Sequence, residues 1–125
     1  MSHAIYIFLG GGIGSLFRYW LSLSVYSLFG RDFPYGTLSV NVIGSFLMGL
    51  LTIFLIERYN SEASLLRALL LIGFLGGFTT FSSFSIETFQ LFENGEIIKA
   101  CLNIFLQLSL CMIAVSLGAL LGREL

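Results

Sequence analysis

Five hydroxyl side chains lie within the seven residues from Thr79 to Ser85, and two phenylalanines, Phe81 and Phe84, lie among them. Hydroxyl groups can donate hydrogen bonds to an anion or accept them from a cation's water shell. In a helix, residues three apart share a face, so both rings would lie on one side. The surrounding sequence is apolar, and polar groups cannot face lipid without a partner. The stretch therefore predicts a polar path or a binding site at membrane depth.

A second polar stripe lies in an earlier apolar segment, where Thr37, Asn41 and Ser45 are spaced four apart. The Asn41 carboxamide offers two N–H donors without a charge, so it could hold an anion without neutralising it. A hydrogen bond between two helices is an equally good interpretation, because polar side chains in membrane bundles commonly make one.

A third stripe comprises Asn103, Gln107 and Cys111, again four apart and hence on one helical face. These side chains indicate a polar wall on the last apolar segment of the chain.

Two charges fall inside apolar segments, Arg18 and Glu87. A positive charge at such depth points into the protein or extends to the interface. Arg18 could therefore serve the structure or set a positive potential that attracts anions. Glu87 lies near the end of its segment, where a structural or vestibule role competes with a role in proton transfer.

The elements that must position these residues are membrane spans. The chain has 125 residues, of which 57% are hydrophobic and 10% charged, as in integral membrane proteins. A span needs about 20 apolar residues, and four fit, at about 4–29, 36–56, 68–91 and 97–121. We expect an all-α membrane protein with one domain over residues 1–125. The net charge of −1 and the lack of a basic patch predict no nucleic-acid partner.

The third span contains weak helix formers from Gly76 to Thr80. A break in the helix at this point would free backbone carbonyls in the membrane interior. Carbonyls at a discontinuous helix can hold a cation such as sodium.

Basic residues are nearly balanced across the membrane. Arg58, Arg67 and Arg123 fall on the side of both termini, and Arg31 and Lys99 fall on the other. Because such asymmetry sets orientation, a chain this balanced could insert both ways, and two opposite copies could form an antiparallel pair. Insertion in one orientation, with the termini inside, is the alternative.

Three motifs resemble the Fluc (CrcB-type) family of microbial fluoride channels: GGGIGSLFRYW at 10–20, PYGTLSVNVIGSF at 34–46 and GFLGGFTTFSSFSIE at 73–87. The resemblance implies an antiparallel homodimer of four-helix subunits with two pores, which exports fluoride passively across the inner (plasma) membrane and lowers its cytoplasmic concentration. It implies a channel, not an enzyme.

The resemblance also implies roles for individual residues. The backbone carbonyls of Gly76 and Thr79 match those that hold a structural sodium ion at the dimer centre. Phe81 and Phe84 match the paired pore phenylalanines, and Asn41 matches the pore asparagine.

Further matches are the hydroxyl pair Ser82 and Ser83, and the two charges Arg18 and Glu87. Ser83 replaces the threonine that is commoner in the family. Together with Thr80 and Asn41, the hydroxyl pair could donate hydrogen bonds that replace the water shell of fluoride.

The fourth span departs from the family, whose members often have a tyrosine and hydroxyl residues along the pore. Here Asn103 and Gln107 occupy the corresponding face, so we expect both to line the fluoride pore.

A small dual-topology transporter is the alternative function, either a proton-coupled fluoride exporter or an exporter of cationic drugs. Small four-span drug exporters couple transport to protons through a carboxylate in the first span. The first span of this chain has no Asp or Glu, which favours the channel.

Overall fold

A computed structural model describes residues 2–59 and 63–125 of the chain. Within these residues every regular element is helical. Four segments are long and apolar enough to cross a membrane: Ser2–Phe29, Tyr35–Tyr59, Ser64–Glu93 and Ile97–Glu124. The prediction of an all-helical protein with four spans is thus confirmed, and each span extends beyond its sequence-based limits.

The first two spans are single helices, α1 (Ser2–Phe29) and α2 (Tyr35–Tyr59). The third span is built from several elements in succession: α3 (Ser64–Arg67), a π-helix (Ala68–Leu75), α4 (Gly76–Phe78) and α5 (Phe81–Glu93). The fourth span is again one helix, α6 (Ile97–Glu124).

The π-helix is a feature that the sequence did not predict. It covers the apolar run that precedes the glycines, and π-helical turns are rare and often adjoin functional sites. Gly73, inside it, approaches α1 closely, since a Cβ added there would lie 3.0 Å from Ile7 O and 3.1 Å from Gly10 Cα.

Thr79 and Thr80 separate α4 from α5 with extended backbone angles. Their φ and ψ are −87° and 156° at Thr79 and −150° and 119° at Thr80. Threonine is branched at Cβ and accepts this conformation readily. The Thr80 side chain then caps α5, because its Oγ1 accepts from the backbone N–H of Ser83 at 3.1 Å.

Glycines set the closest helix contacts, because a residue without a side chain lets two helix backbones approach each other. A Cβ added at Gly10 or Gly14 of α1 would overlap the backbone of the third span. A Cβ at Gly118 of α6 would overlap Phe46 O of α2, and one at Gly49 would overlap Val115 O. Thus α1 packs on the first part of the third span, and α2 packs on α6.

The buried core is small and lies beside the extended residues. Val40, Leu75 and Phe78 form its centre. Many large apolar side chains elsewhere are exposed, including Phe8 and Ile98. An apolar surface of this extent is typical of a protein that meets lipid or another subunit.

Candidate functional site

The side chain of Asn41 pairs with the extended backbone at Thr80. The Thr80 N–H donates to Asn41 Oδ1 at 2.8 Å, and Asn41 Nδ2 donates to Thr80 O at 3.0 Å. An extended residue inside a span has backbone groups that no helical turn satisfies. The carboxamide of α2 supplies one donor and one acceptor to that residue, much as a neighbouring strand would.

A chain of amide and hydroxyl groups continues from Asn41 to α5. Asn41 Nδ2 donates to Gln107 Oε1 at 3.1 Å, and Gln107 Nε2 donates to Asn103 Oδ1 at 3.5 Å. Asn103 Nδ2 donates to Thr88 Oγ1 at 2.9 Å, and the Thr88 hydroxyl donates to Phe84 O at 2.7 Å. These bonds join α2, α6 and α5 around the extended residues.

A cavity of about 370 Å³ opens beside this network. Five of the predicted pore residues line it: Asn41, Thr80, Phe81, Phe84 and Gln107. The hydroxyl residues Ser45 and Thr79 also line it, apolar and sulfur-containing residues complete the wall, and none of the lining residues carries a charge. The cavity can therefore offer uncharged donors in an otherwise apolar setting.

The two phenylalanines meet edge to face. Their ring centroids are 5.2 Å apart, with an interplanar angle of 63°. Phe84 is 8% exposed, whereas Phe81 is 73% exposed. Phe84 is therefore packed into the wall of the cavity, whereas most of the Phe81 side chain lies on the surface.

Three other predicted pore residues lie outside the cavity lining. Ser82 is exposed, and its Oγ lies 3.2 Å from Thr80 Oγ1. Ser83 is half-buried on the first turn of α5. Asn103 is 0% exposed, one helical turn behind Gln107, and contacts Thr88.

The carbonyls predicted to hold sodium have lost their usual helical donors. In a regular helix the Thr80 N–H would bond Gly76 O and the Ser83 N–H would bond Thr79 O. The Thr80 N–H instead donates to Asn41, and the Ser83 N–H donates to Thr80 Oγ1. Gly76 lies exposed on the protein surface.

Arg18 bonds the neighbouring carbonyl. Its Nε donates to Gly77 O at 3.0 Å, so the guanidinium of α1 is attached to the end of the third span's first half. Of the two roles left open for Arg18, this contact supports the structural one.

Glu87 lies in a second cavity of about 360 Å³, at the membrane edge next to the loop after α1. The Tyr26 hydroxyl donates to Glu87 Oε2 at 3.1 Å. Arg31, Asp32 and Lys99 also line this space. It has the polar, charged character of a vestibule, which agrees with the vestibule interpretation of Glu87.

Sequence reasoning missed Thr88, Tyr26 and Gly44. Thr88 follows Phe84 by one turn, and this spacing was the available signal for its place in the network. Tyr26 gave no signal, because its contact with Glu87 spans 61 residues. Gly44 allows the third span to pack closely against α2, since a Cβ at Gly44 would overlap Thr79 Cγ2.

A bundle of four membrane-spanning helices, with an uncharged cavity lined by α2, the third span and α6 and a charged cavity at one end, defines a small multi-pass membrane protein. The chain belongs to the CrcB family, because the model of the CrcB-like protein family, Camphor Resistance (CrcB), matches residues 5–119. The resemblance seen in the motifs is thereby confirmed.

Several curated relatives match over nearly the whole chain. A protein of Coxiella burnetii (strain Dugway 5J108-111) named fluoride-specific ion channel FluC is 54% identical over 98% of this chain and 99% of its own length. The protein of that name from Citrifermentans bemidjiense is 46% identical over the full length of both chains. One from Methylococcus capsulatus is 53% identical over 95% of this chain and 52% of that longer protein.

Proposed function

We propose that this protein is a fluoride-selective ion channel of the cell membrane, which lets fluoride leave the cytoplasm passively. The observation that carries the proposal is the uncharged cavity between α2, the third span and α6, where Asn41, Thr80 and Gln107 lie beside Phe81 and Phe84. The relatives named as fluoride-specific channels support the same function. Like them, the protein is a channel and not an enzyme.

The chemistry of the cavity suits a small, strongly hydrated anion. Amide and hydroxyl donors can replace its water shell. The edge of an aromatic ring carries the positive part of the quadrupole, so the two phenylalanines can turn C–H edges toward an anion. A fixed positive charge in the narrow part would hold the ion too long, since conduction needs release as well as entry.

A row of polar side chains on α6 leads from the vestibule to the cavity. Lys99 lines the vestibule, Asn103 lies one turn further and Gln107 lines the cavity. These residues share one helical face. We infer that fluoride enters past Lys99 and Glu87 and that Asn103 and Thr88 form the narrow polar step before the cavity, with Ser82 and Ser83 as further donors near Phe81.

The second subunit of the channel is an antiparallel copy of this chain. Exposed Phe81 and Gly76 lie where a partner would cover them, and one subunit leaves the cavity open on that side. The near balance of basic residues on the two sides supports insertion in both orientations, which supplies the opposite copies.

We propose that a structural sodium ion binds the backbone carbonyls of Gly76 and Thr79. Both carbonyls have had their helical donors diverted to side chains, and oxygen ligands of this kind suit sodium at a discontinuous helix. The ion would supply a positive charge that holds two such helix ends together. Its role is structural, at the contact between the copies.

Fluoride release from liposomes tests the function. Purified protein is reconstituted in vesicles loaded with potassium fluoride at equal pH inside and outside, without ATP, and fluoride is followed with an electrode. A channel releases fluoride only once valinomycin lets potassium leave and removes the opposing voltage. Release without valinomycin, tied to protons, would indicate the exporter instead. Protein-free vesicles give the background.

A further inference from the structure

Every hydrogen-bonding group of the Asn41 side chain is engaged. Oδ1 accepts from the Thr80 N–H, and Nδ2 donates to Thr80 O and to Gln107 Oε1. A carboxamide has two N–H donors. Both donors of Asn41 therefore already have acceptors before any ion enters the cavity.

The partners of these two donors differ in how easily they can leave. Thr80 O is a backbone atom at the N-cap of α5, and Thr80 is paired reciprocally with the same carboxamide, so this acceptor cannot rotate away from Asn41. Gln107 Oε1 belongs to a side chain that can rotate about several bonds. Its other end is weakly attached, because the bond from Gln107 Nε2 to Asn103 Oδ1 is 3.5 Å long, at the outer limit for such bonds.

The cavity gives an ion access to this donor. Asn41 and Gln107 both line it, together with the two phenylalanines, and its volume of about 370 Å³ leaves room for the displaced amide. An anion is also the stronger acceptor, since a charge-assisted hydrogen bond is about twice as strong as a neutral one.

We propose that the carboxamide oxygen of Gln107 occupies the anion position on Asn41 in the empty channel and that fluoride displaces it. Gln107 is then a specificity-determining residue, which competes with the ion for one N–H and sets how tightly the cavity binds it. A weakly bonding or bulky anion does not displace Gln107 and finds no donor. This inference rests on the proposed function, which it deepens.

Gln107→Leu removes the competing oxygen and frees the Asn41 N–H that is bonded to Gln107 Oε1 in the native protein. Because one neutral hydrogen bond is at stake, the half-saturating fluoride concentration should fall about threefold to tenfold. A variant that merely damages the fold would bind fluoride more weakly, so tighter binding separates the two explanations. Ser116→Ala is the matched control, since Ser116 is exposed on the same helix and bonds only within it, to Met112 O at 2.8 Å.

NMR of protein labelled with ¹⁵N-asparagine and ¹⁵N-threonine in lipid nanodiscs is the direct test, because it reports the Asn41 side-chain amide and the Thr80 backbone amide together. In the native protein, sodium fluoride should shift one of the two Asn41 amide protons, the one bonded to Gln107, and leave the proton bonded to Thr80 O in place. Sodium chloride should shift neither. In Gln107→Leu the same proton should respond at lower fluoride concentration, and Ser116→Ala should match the native titration.

The proposal is overturned if fluoride moves neither proton or moves both, or if Gln107→Leu, with an unchanged Thr80 backbone amide signal, binds fluoride no more tightly than the native protein. Liposome release separates this result from the proposed function. If fluoride is released but the Asn41 protons do not respond, the channel function stands and the proposed competition by Gln107 is refuted. If the Asn41 proton responds but no fluoride is released, the proposed competition by Gln107 stands and the channel function is refuted.

Discussion

Asn41 and Thr80 pair in both directions, side chain to backbone, with distances of 2.8 and 3.0 Å. The pair crosses from α2 to the third span at the two residues that leave the helical conformation. It satisfies an extended peptide inside the membrane, and it also holds the donor side chain of Asn41 beside Phe81 and Phe84. One contact therefore stabilises the interruption of the helix and fixes the donor in the cavity.

Asn41→Asp should abolish most fluoride flux. The carboxylate can still accept from the Thr80 N–H but can no longer donate to Thr80 O, and the added negative charge repels an anion. Losing the bond from Asn41 Nδ2 to Thr80 O should cost about 0.5–1.5 kcal/mol of unfolding free energy, because the carbonyl of the N-cap residue keeps only its helical donor in α5. Flux in liposomes and thermal unfolding in detergent give the two readings.

Thr52→Val, on the same helix about three turns away, is the control and should leave both quantities near the native values. Native flux through Asn41→Asp would contradict the role of the Asn41 donors.

Gly76 and Gly77 should respond differently to a side chain. A Cβ at Gly77 would overlap Gly11 O, whereas the nearest atom to a Cβ at Gly76 is Leu71 O at 3.9 Å. Gly77→Ala should destabilise the subunit itself by about 1–3 kcal/mol, the usual cost of overpacking. Gly76→Leu should leave the subunit helical but weaken the proposed dimer.

Size-exclusion elution and helical circular dichroism separate the two effects. A Gly76→Leu protein that remains dimeric would exclude Gly76 from the subunit contact.

Phe81→Ile and Phe84→Ile should both lower fluoride flux, because an aliphatic side chain has no positive ring edge to offer an anion. Their stabilities should differ. Phe84 is buried, so its replacement should cost about 1 kcal/mol or more, and exposed Phe81 should cost the subunit little. Flux and thermal unfolding are measured on the same preparations. Normal conduction by both variants would refute the aromatic contribution.

Dual insertion predicts reporter activity on both sides of the membrane for a C-terminal fusion. The basic residues Arg31 and Lys99 oppose Arg58, Arg67 and Arg123, a difference of only one charge. If two or three lysines are added to the loop that carries Arg31, most chains should insert in a single orientation. A native chain found in one orientation only would contradict the proposal.

The spans and most of the polar cavity could be predicted from the sequence, because a polar side chain in an apolar segment gives a strong signal. Thr80 and Asn41 were found in this way, and Phe84 was found through its position among the hydroxyl residues of the third span. The burial of Asn103 and the contact between Gln107 and Asn41 were not, since they depend on how α2 and α6 are rotated against each other. That rotation follows from glycine contacts such as Gly49 on Val115 O, which act between residues far apart in sequence.

The most direct test of the central claim is the reversal potential of the purified protein in a planar bilayer, with sodium fluoride on one side and sodium chloride at equal concentration on the other. A fluoride-selective channel predicts a current that reverses far from zero, in the direction set by fluoride. A shift beyond about 59 mV corresponds to at least a tenfold preference. A current that reverses near zero, or follows chloride or sodium, would contradict the account.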